Sequence, residues 1–171
     1  AVDETRIAIA SDNMTLEVLQ IEGGPRLSTS TSGQYLCIAL PTSKQVVAAT
    51  PNAVFVWTDG SFPNNAEQYE GVQDPVTVGM FLEKPIVLSR GGELVYHLDD
   101  QPVRVVLDLS GEISFSTFCA SGLKIALVVD STLFRYELSS GEMKKLYECT
   151  EEIGGVSINN EGDVVCWAVG G

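Results

Sequence analysis

The residues of this sequence that could do chemistry are few and widely spaced. His97 is the single histidine, so a Ser-His-Asp or Cys-His arrangement could be built only around it. The segment ELVYHLDD (93–100) has the alternation of a half-buried strand. We interpret His97 as lying on the polar side of that strand, with Asp99 and Asp100 ending it in a turn. The sequence therefore predicts no catalytic residues and no enzyme activity.

Patterns that bind metals or cofactors are also missing from the sequence. The four cysteines include no CxxC pair and have one histidine to join them, which argues against structural zinc. The acidic pairs at 99–100 and 151–152 lack the alternating Asp/Asn spacing and the glycine of a calcium loop. The Gly-Gly pairs lack the spacing of a phosphate-binding loop. We therefore expect no metal and no cofactor.

Charge and cysteine placement restrict the partners and the compartment. The chain has 10 Lys and Arg against 23 Asp and Glu, a formal net charge of −13. Such a surface repels phosphate backbones and anionic lipid, so we expect no nucleic acid and no membrane, and a basic protein partner fits better. Acidity that serves solubility alone is the alternative. Three cysteines lie in apolar, strand-like runs, which indicates reduced thiols in a cytoplasmic or nuclear protein.

The elements that must position any site are short strands. Apolar runs recur along the 171 residues, separated by Gly, Ser, Asn, Asp or Pro, and helical periodicity is absent. The clearest unit is predicted to contain four strands, at 113–118, 124–129, 133–138 and 143–149.

This four-stranded unit is one of several copies. Residues 76–109 match 113–149 at an offset of about 39 to 40 residues. The segments 28–40 and 157–169 share Ser, Gly, Cys and Ala at matching places, and their separation equals three units of roughly 43 residues. The sequence thus predicts a repeat architecture.

Four strands that repeat at about 40 residues are typical of a propeller blade, because one such sheet must stack against neighbours to bury its faces. The segments LFRYELSSGEMKKLYEC (133–149) and GGVSINNEGDVVCWAV (154–169) resemble generic blades of the WD40, TolB-like and RCC1-like β-propeller superfamily. No Trp-Asp ending or Gly-His pair of the WD40 family is present. The resemblance implies a fold and not a function.

The chain is predicted to be one all-β, propeller-like domain over residues 1–171 with about four four-stranded blades. Strands at 6–10 and 16–21, joined at Asp12-Asn13, would complete one blade with the last two strands and so close the ring. One alternative is part of a larger ring of roughly seven blades, which a second copy or a partner would complete. The other is a two-sheet sandwich.

One segment, residues 58–75, departs from the repeat. An insertion of this length on a regular scaffold is where binding residues are often placed, and its aromatics lie among acidic residues. The predicted partner-binding residues are Trp57, Asp59, Phe62, Glu67, Tyr69, Glu70 and Asp74. The alternative is that Phe62 and Tyr69 fold back over the blade edge, or that the insertion contains the outermost strand.

These features together predict a soluble, non-catalytic scaffold or inhibitor module for protein–protein interaction, with a basic protein partner. A carbohydrate-binding propeller would need equivalent aromatic and Asn/Asp residues in each blade, whereas Trp57 and Trp167 do not occupy matching positions. A hydrolase with residues on its loops is the third class.

Overall fold

The described part of the chain consists of β-strands joined by turns. In a computed structural model the described residues are 5–11, 13–30, 33–42, 44–58 and 61–167, with the backbone of Ala168. These residues form no helix, and so none that could span a lipid bilayer. The all-β prediction is confirmed.

The strands of the described residues fall into five antiparallel sheets, in which strands adjacent in sequence are also adjacent in the sheet. The first sheet contains β1 (Arg6–Ser11), β2 (Thr15–Gln20) and β3 (Leu27–Ser30). The second contains β4 (Cys37–Ala39), β5 (Val46–Thr50), β6 (Ala53–Trp57) and β7 (Glu67–Glu70). The third contains β8 (Pro75–Phe81), β9 (Lys84–Ser89), β10 (Glu93–Leu98) and β11 (Gln101–Val106). The fourth contains β12 (Ile113–Phe118), β13 (Lys124–Val129), β14 (Thr132–Glu137) and β15 (Glu142–Glu148), and the fifth β16 (Ile153–Ile158) and β17 (Val164–Ala168).

The fourth sheet is the unit that the sequence predicted most closely. β12 and β13 have the predicted bounds, and β14 and β15 each begin and end one residue earlier. Glu137 pairs with Glu142 at the end of that hairpin, and Gly141 takes the left-handed backbone of its turn at φ 68°. Local periodicity therefore identified the strands, and turn geometry set their ends.

The structural repeat is shorter than one of the two predicted offsets. The first strands of the second to fifth sheets begin at Cys37, Pro75, Ile113 and Ile153, so the repeat is about 38 to 40 residues long. Cys37 lies in the first strand of its sheet, whereas Cys166 lies in the second strand of its own. The predicted match of 28–40 with 157–169 is therefore wrong, since it aligns strands that are not equivalent.

The core consists of apolar layers between consecutive sheets. The layer between the second and third sheets contains Val47, Val54, Val56, Val78, Val87 and Val95. The layer between the third and fourth contains Ile86, Leu88, Leu94, Ile113, Ile125 and Leu127. Further layers join the first sheet to the second and the fourth to the fifth. Sheets that pack one after another are typical of propeller blades. The sandwich alternative predicted two facing sheets, and the described sheets do not have that arrangement.

Closure of the ring by the terminal strands is not confirmed. Among the described residues, β16 and β17 pair with each other, and β1 to β3 form a separate sheet. Asp12, in the predicted turn between the first two strands, lies outside the described residues. The number of blades in a closed ring therefore stays a prediction.

Leu127 is fully buried between the third and fourth sheets, whereas Val106, on the outermost strand of the third sheet, is 76% exposed. We expect Leu127→Ala to lower the free energy of unfolding by about 2–5 kcal/mol, because it removes packed methyl groups and leaves a cavity. Val106→Ala should change it by less than about 0.5 kcal/mol. Urea unfolding of both variants measures this, and equal losses would contradict the assignment of the core.

Candidate functional site

The segment 58–75 is part of the second sheet and not a free insertion. Its residues Glu67–Glu70 form β7, which pairs with β6 in the register Ala53 to Glu70 and Val56 to Glu67. The segment therefore contains the outermost strand of its blade, which is one of the two alternatives that the sequence left open.

The two largest aromatic residues of the predicted site are buried. Trp57 and Phe62 belong to the layer between the first and second sheets, and their ring centroids lie 5.3 Å apart at an interplanar angle of 73°. Phe55 also stacks on Trp57, with centroids 6.1 Å apart. Phe62 thus folds back onto the sheet, and neither ring is presented to a partner. Asp59 lies outside the described residues.

The acidic residues of the predicted site contact cations of the third sheet. Arg104 bridges Glu70, on β7, and Glu93, on β10. Asp74 accepts a hydrogen bond from Arg90 Nε at 2.9 Å. Of these exposed ion pairs, the one between Arg104 and Glu70 joins the second and third sheets, and each pair adds little stability individually. They also engage carboxylates that the sequence assigned to a partner.

Tyr69 is the centre of a polar group between the second and third sheets. Its hydroxyl donates to Glu67 and accepts from Lys84 Nζ at 3.4 Å, and its ring lies edge-on to His97, with centroids 5.1 Å apart. Burial, and then the hydrogen bond to Glu67, raise the pKa of Tyr69. Lys84 also pairs with Asp100 at 2.6 Å, and this contact is the main cause that raises the pKa of Lys84 well above its usual range.

His97 is buried against this group, so the interpretation that it lies on the polar side of its strand is wrong. Its Nδ1 lies 3.5 Å from the carbonyl oxygen of Pro85. No side chain of Ser, Cys, Asp or Glu forms a hydrogen bond with its ring among the residues that the structure describes. Within the same residues, no group of three or more His, Cys, Asp or Glu side chains could hold a metal ion.

A cleft of about 610 Å³ opens beside Tyr69, at the end of the sheets that carries the β4–β5, β6–β7 and β8–β9 connections. Val56 and Met80 form its apolar floor, and Glu67, Tyr69 and Lys84 line one wall. Further lining comes from Lys44, Leu82, Glu83, Ala120 and Ser121. The cleft thus combines an apolar floor with mostly polar and charged walls.

The tight turn between β8 and β9 forms the rim of this cleft. Leu82 and Glu83 both have left-handed backbone, with φ of 48° and 63°, while Phe81 pairs with Lys84. Such a two-residue turn favours Asn-Gly, and left-handed backbone costs about 1–2 kcal/mol for each residue with a Cβ. The side chain of Leu82 is nevertheless 68% exposed. The turn therefore presents an apolar side chain to solvent at a local cost in stability.

The turn between the first two strands of the fourth sheet closes the far side of the cleft. Gly122 has a φ of 72°, and a Cβ there would lie 2.1 Å from the carbonyl oxygen of Met80. Glycine at this position is therefore required for the close approach of the fourth sheet to the end of β8.

Sequence reasoning identified part of this cleft. Of the seven predicted partner-binding residues, Glu67 and Tyr69 line it. Trp57 and Phe62 are buried behind it, and Glu70 and Asp74 lie in ion pairs. Leu82, Lys84 and Met80 were missed, because the run GMFLEKPIV contains no Gly, Asn, Asp or Pro at the turn itself.

Comparison with solved structures identifies the fold. No protein-family model and no curated protein matches the sequence. The chains of solved structures that match number 850, so the architecture is widespread and does not by itself indicate a function. Among them is the β-propeller Hsv2 of Kluyvelomyces marxianus, similar with a TM-score of 0.68 and 8% identity over 98% of this chain and 55% of that chain. The chain thus has β-propeller architecture and spans about half the length of Hsv2.

The ion pair of Lys84 with Asp100 predicts a pH effect at the cleft wall. Lys84 holds the pKa of Asp100 below its ordinary value of 3.8. Because the folded pKa is lowered, the pair stabilises the fold above the unfolded pKa of Asp100, and this contribution is lost as pH falls through the folded pKa. A carboxyl-detected NMR titration should place the Asp100 midpoint below 3.8 and, in Lys84→Met, closer to 3.8. An unchanged midpoint in the variant would contradict the ion pair.

Proposed function

We propose that this chain is a non-catalytic protein-interaction module of the β-propeller type, and that the cleft between its second and third sheets binds a basic segment of a partner protein. The observation that carries the proposal is Leu82, an exposed apolar side chain held on a left-handed turn at the rim of the cleft. Strained turns persist where the surrounding structure supports them, and they cluster at binding sites. An apolar anchor at the rim of a pocket is a common source of binding energy.

The charges around the cleft favour a basic segment. Glu67 and Glu83 line the cleft beside the ammonium groups of Lys44 and Lys84, and the neighbouring turn adds the carboxylate of Asp99. The ammonium group of Lys84 is engaged by Asp100 and Tyr69. The net charge of −13 acts in the same direction over a longer range. A segment with Lys or Arg beside an apolar residue would match both the carboxylates and the apolar floor.

The other function classes receive less support. A carbohydrate-binding propeller would present equivalent aromatic rings on successive sheets, yet Trp57 is buried in the second sheet and Trp167 is exposed on the fifth. A hydrolase would need an accessible base, and His97 is buried beneath Tyr69. The proposed compartment is the cytoplasm or nucleus, which is compatible with the four free cysteines.

Selection of random peptides on the immobilised chain tests the proposal. We expect the selected peptides to carry Lys or Arg next to an apolar residue, and their affinity to fall as salt is raised. Leu82→Asn should weaken binding about tenfold or more, since it removes the apolar anchor. The same variant should not lower the melting temperature, because asparagine tolerates left-handed backbone better than leucine.

Two further variants make this test specific. Glu83→Gln removes one carboxylate of the rim and should weaken binding of the same peptides by several-fold at low salt. Val106→Ser, on an exposed strand away from the cleft, is the matched control and should leave binding unchanged. Selection of acidic or uncharged peptides, or full affinity in both cleft variants, would contradict the proposal.

A further inference from the structure

A second cavity lies between the first and second sheets. Val56 belongs to the apolar layer toward the third sheet, whereas the next residue of β6, Trp57, belongs to the layer toward the first. Because successive side chains of a strand point to opposite faces, the cleft and this cavity lie on opposite faces of the second sheet. The volume of the cavity is about 170 Å³. An apolar cavity of roughly 150 Å³ can hold a benzene-sized ring.

Apolar side chains form most of the wall of this cavity. The buried ones are Val18 on β2, Val46 on β5, and the rings of Trp57 and Phe62. Leu27, at the start of β3, is half-buried. The exposed residues that mark the opening are Gln20, Pro25 and Lys44, the last of which also borders the cleft. A concave, mainly apolar site with a few polar groups suits a small organic molecule.

Arg6 is the charged residue in the buried part of the wall. Its Nη2 donates to the backbone carbonyl oxygens of Thr42 and Gln45, the second at 2.9 Å. These bonds attach the start of β1 to the connection between β4 and β5. The guanidinium thus holds two elements of the cavity wall together.

The indole N–H of Trp57 is a buried donor that has no acceptor among the described residues. Trp57 is 3% exposed, and Phe55 and Phe62 pack against its ring, which restricts its orientation. A buried tryptophan usually has a partner for its N–H, because a donor left without one is costly. Phenylalanine would supply an aromatic ring without that cost. The N–H therefore requires an explanation, and a ligand that brings its own acceptor provides one.

We propose that this cavity binds a small molecule that has one apolar ring and a carbonyl oxygen, and that Trp57 Nε1 donates a hydrogen bond to this oxygen. The ring would contact Val18, Val46 and Phe62, which an unfilled cavity leaves without packing partners. The oxygen would satisfy the indole N–H. One ligand thus removes both costs of this layer. The site does not rest on the proposed function of the cleft.

NMR of the nitrogen-15-labelled chain with acetophenone tests the proposal. The chain contains two tryptophans and so gives two indole N–H signals, which Trp167→Phe assigns. Acetophenone should move the proton signal of Trp57 downfield in a saturable way, because the N–H gains an acceptor. The signal of Trp167, which is exposed on the fifth sheet, should stay in place. Ethylbenzene, in which a methylene group replaces the carbonyl, should bind about tenfold more weakly.

Three variants make the test specific. Leu27→Phe narrows the cavity from its half-buried wall and should weaken acetophenone binding about tenfold or more. Val106→Phe, on an exposed strand of the third sheet, is the matched control and should leave it unchanged. Trp57→Phe removes the donor and should abolish the preference for acetophenone over ethylbenzene, as followed by the methyl signals of Val18. Circular dichroism checks that each variant is folded.

The wild-type chain alone can contradict the proposal. A Trp57 signal that does not move with acetophenone, equal affinity for ethylbenzene, or equal shifts of the Trp57 and Trp167 signals would each overturn it. Among the folded variants, undiminished binding in Leu27→Phe would do the same.

Discussion

Each central sheet of this protein is apolar on both faces, and the rest of the structure depends on covering those faces. Residues 125–129 of β13 are all buried, although successive side chains of a strand point to opposite sides. The same holds for residues 85–89 of β9. A sheet of this kind is stable only between two others, so the chain stacks its sheets in series. The repeat of about 38 to 40 residues is the length that one such sheet and its turns require.

We expect binding where the apolar face of a sheet is not fully covered by its neighbour. Between the second and third sheets the apolar layer ends at Val56 and Met80, and the cleft begins there. The polar group around Tyr69 and the turn that carries Leu82 both line this cleft. The same constraint thus accounts for the core and for the position of the cleft.

The strands of the fold could be predicted from the sequence, but the way in which the sheets pack against one another could not. Alternation of apolar residues is local, so the strands between 113 and 149 were located to within one residue. The long offset between 28–40 and 157–169 relied on matches of Ser, Gly, Cys and Ala. These residues recur in many turns and strands, and here they aligned Cys37 with Cys166 although the two strands are not equivalent.

The candidate site, too, could be predicted from the sequence only in part. The sequence pointed to aromatic and acidic residues after Trp57, and Glu67 and Tyr69 do line the cleft. It could not show that Glu70 meets Arg104, because that contact depends on how two sheets are placed side by side. Leu82 was missed because its two-residue turn contains no Gly, Asn, Asp or Pro. Its sequence pattern is therefore that of a continuous strand.

We propose that a partner segment binds in the cleft, where the apolar layer between the second and third sheets ends. The most direct measurement is the change in backbone amide NMR shifts of the labelled chain when a selected basic peptide is added. The account predicts the largest changes at residues 82–84 and 67–69, with little change in the fourth sheet beyond residues 120–122. Changes centred on the opposite ends of the strands, around 108–112 and 130–131, would contradict it.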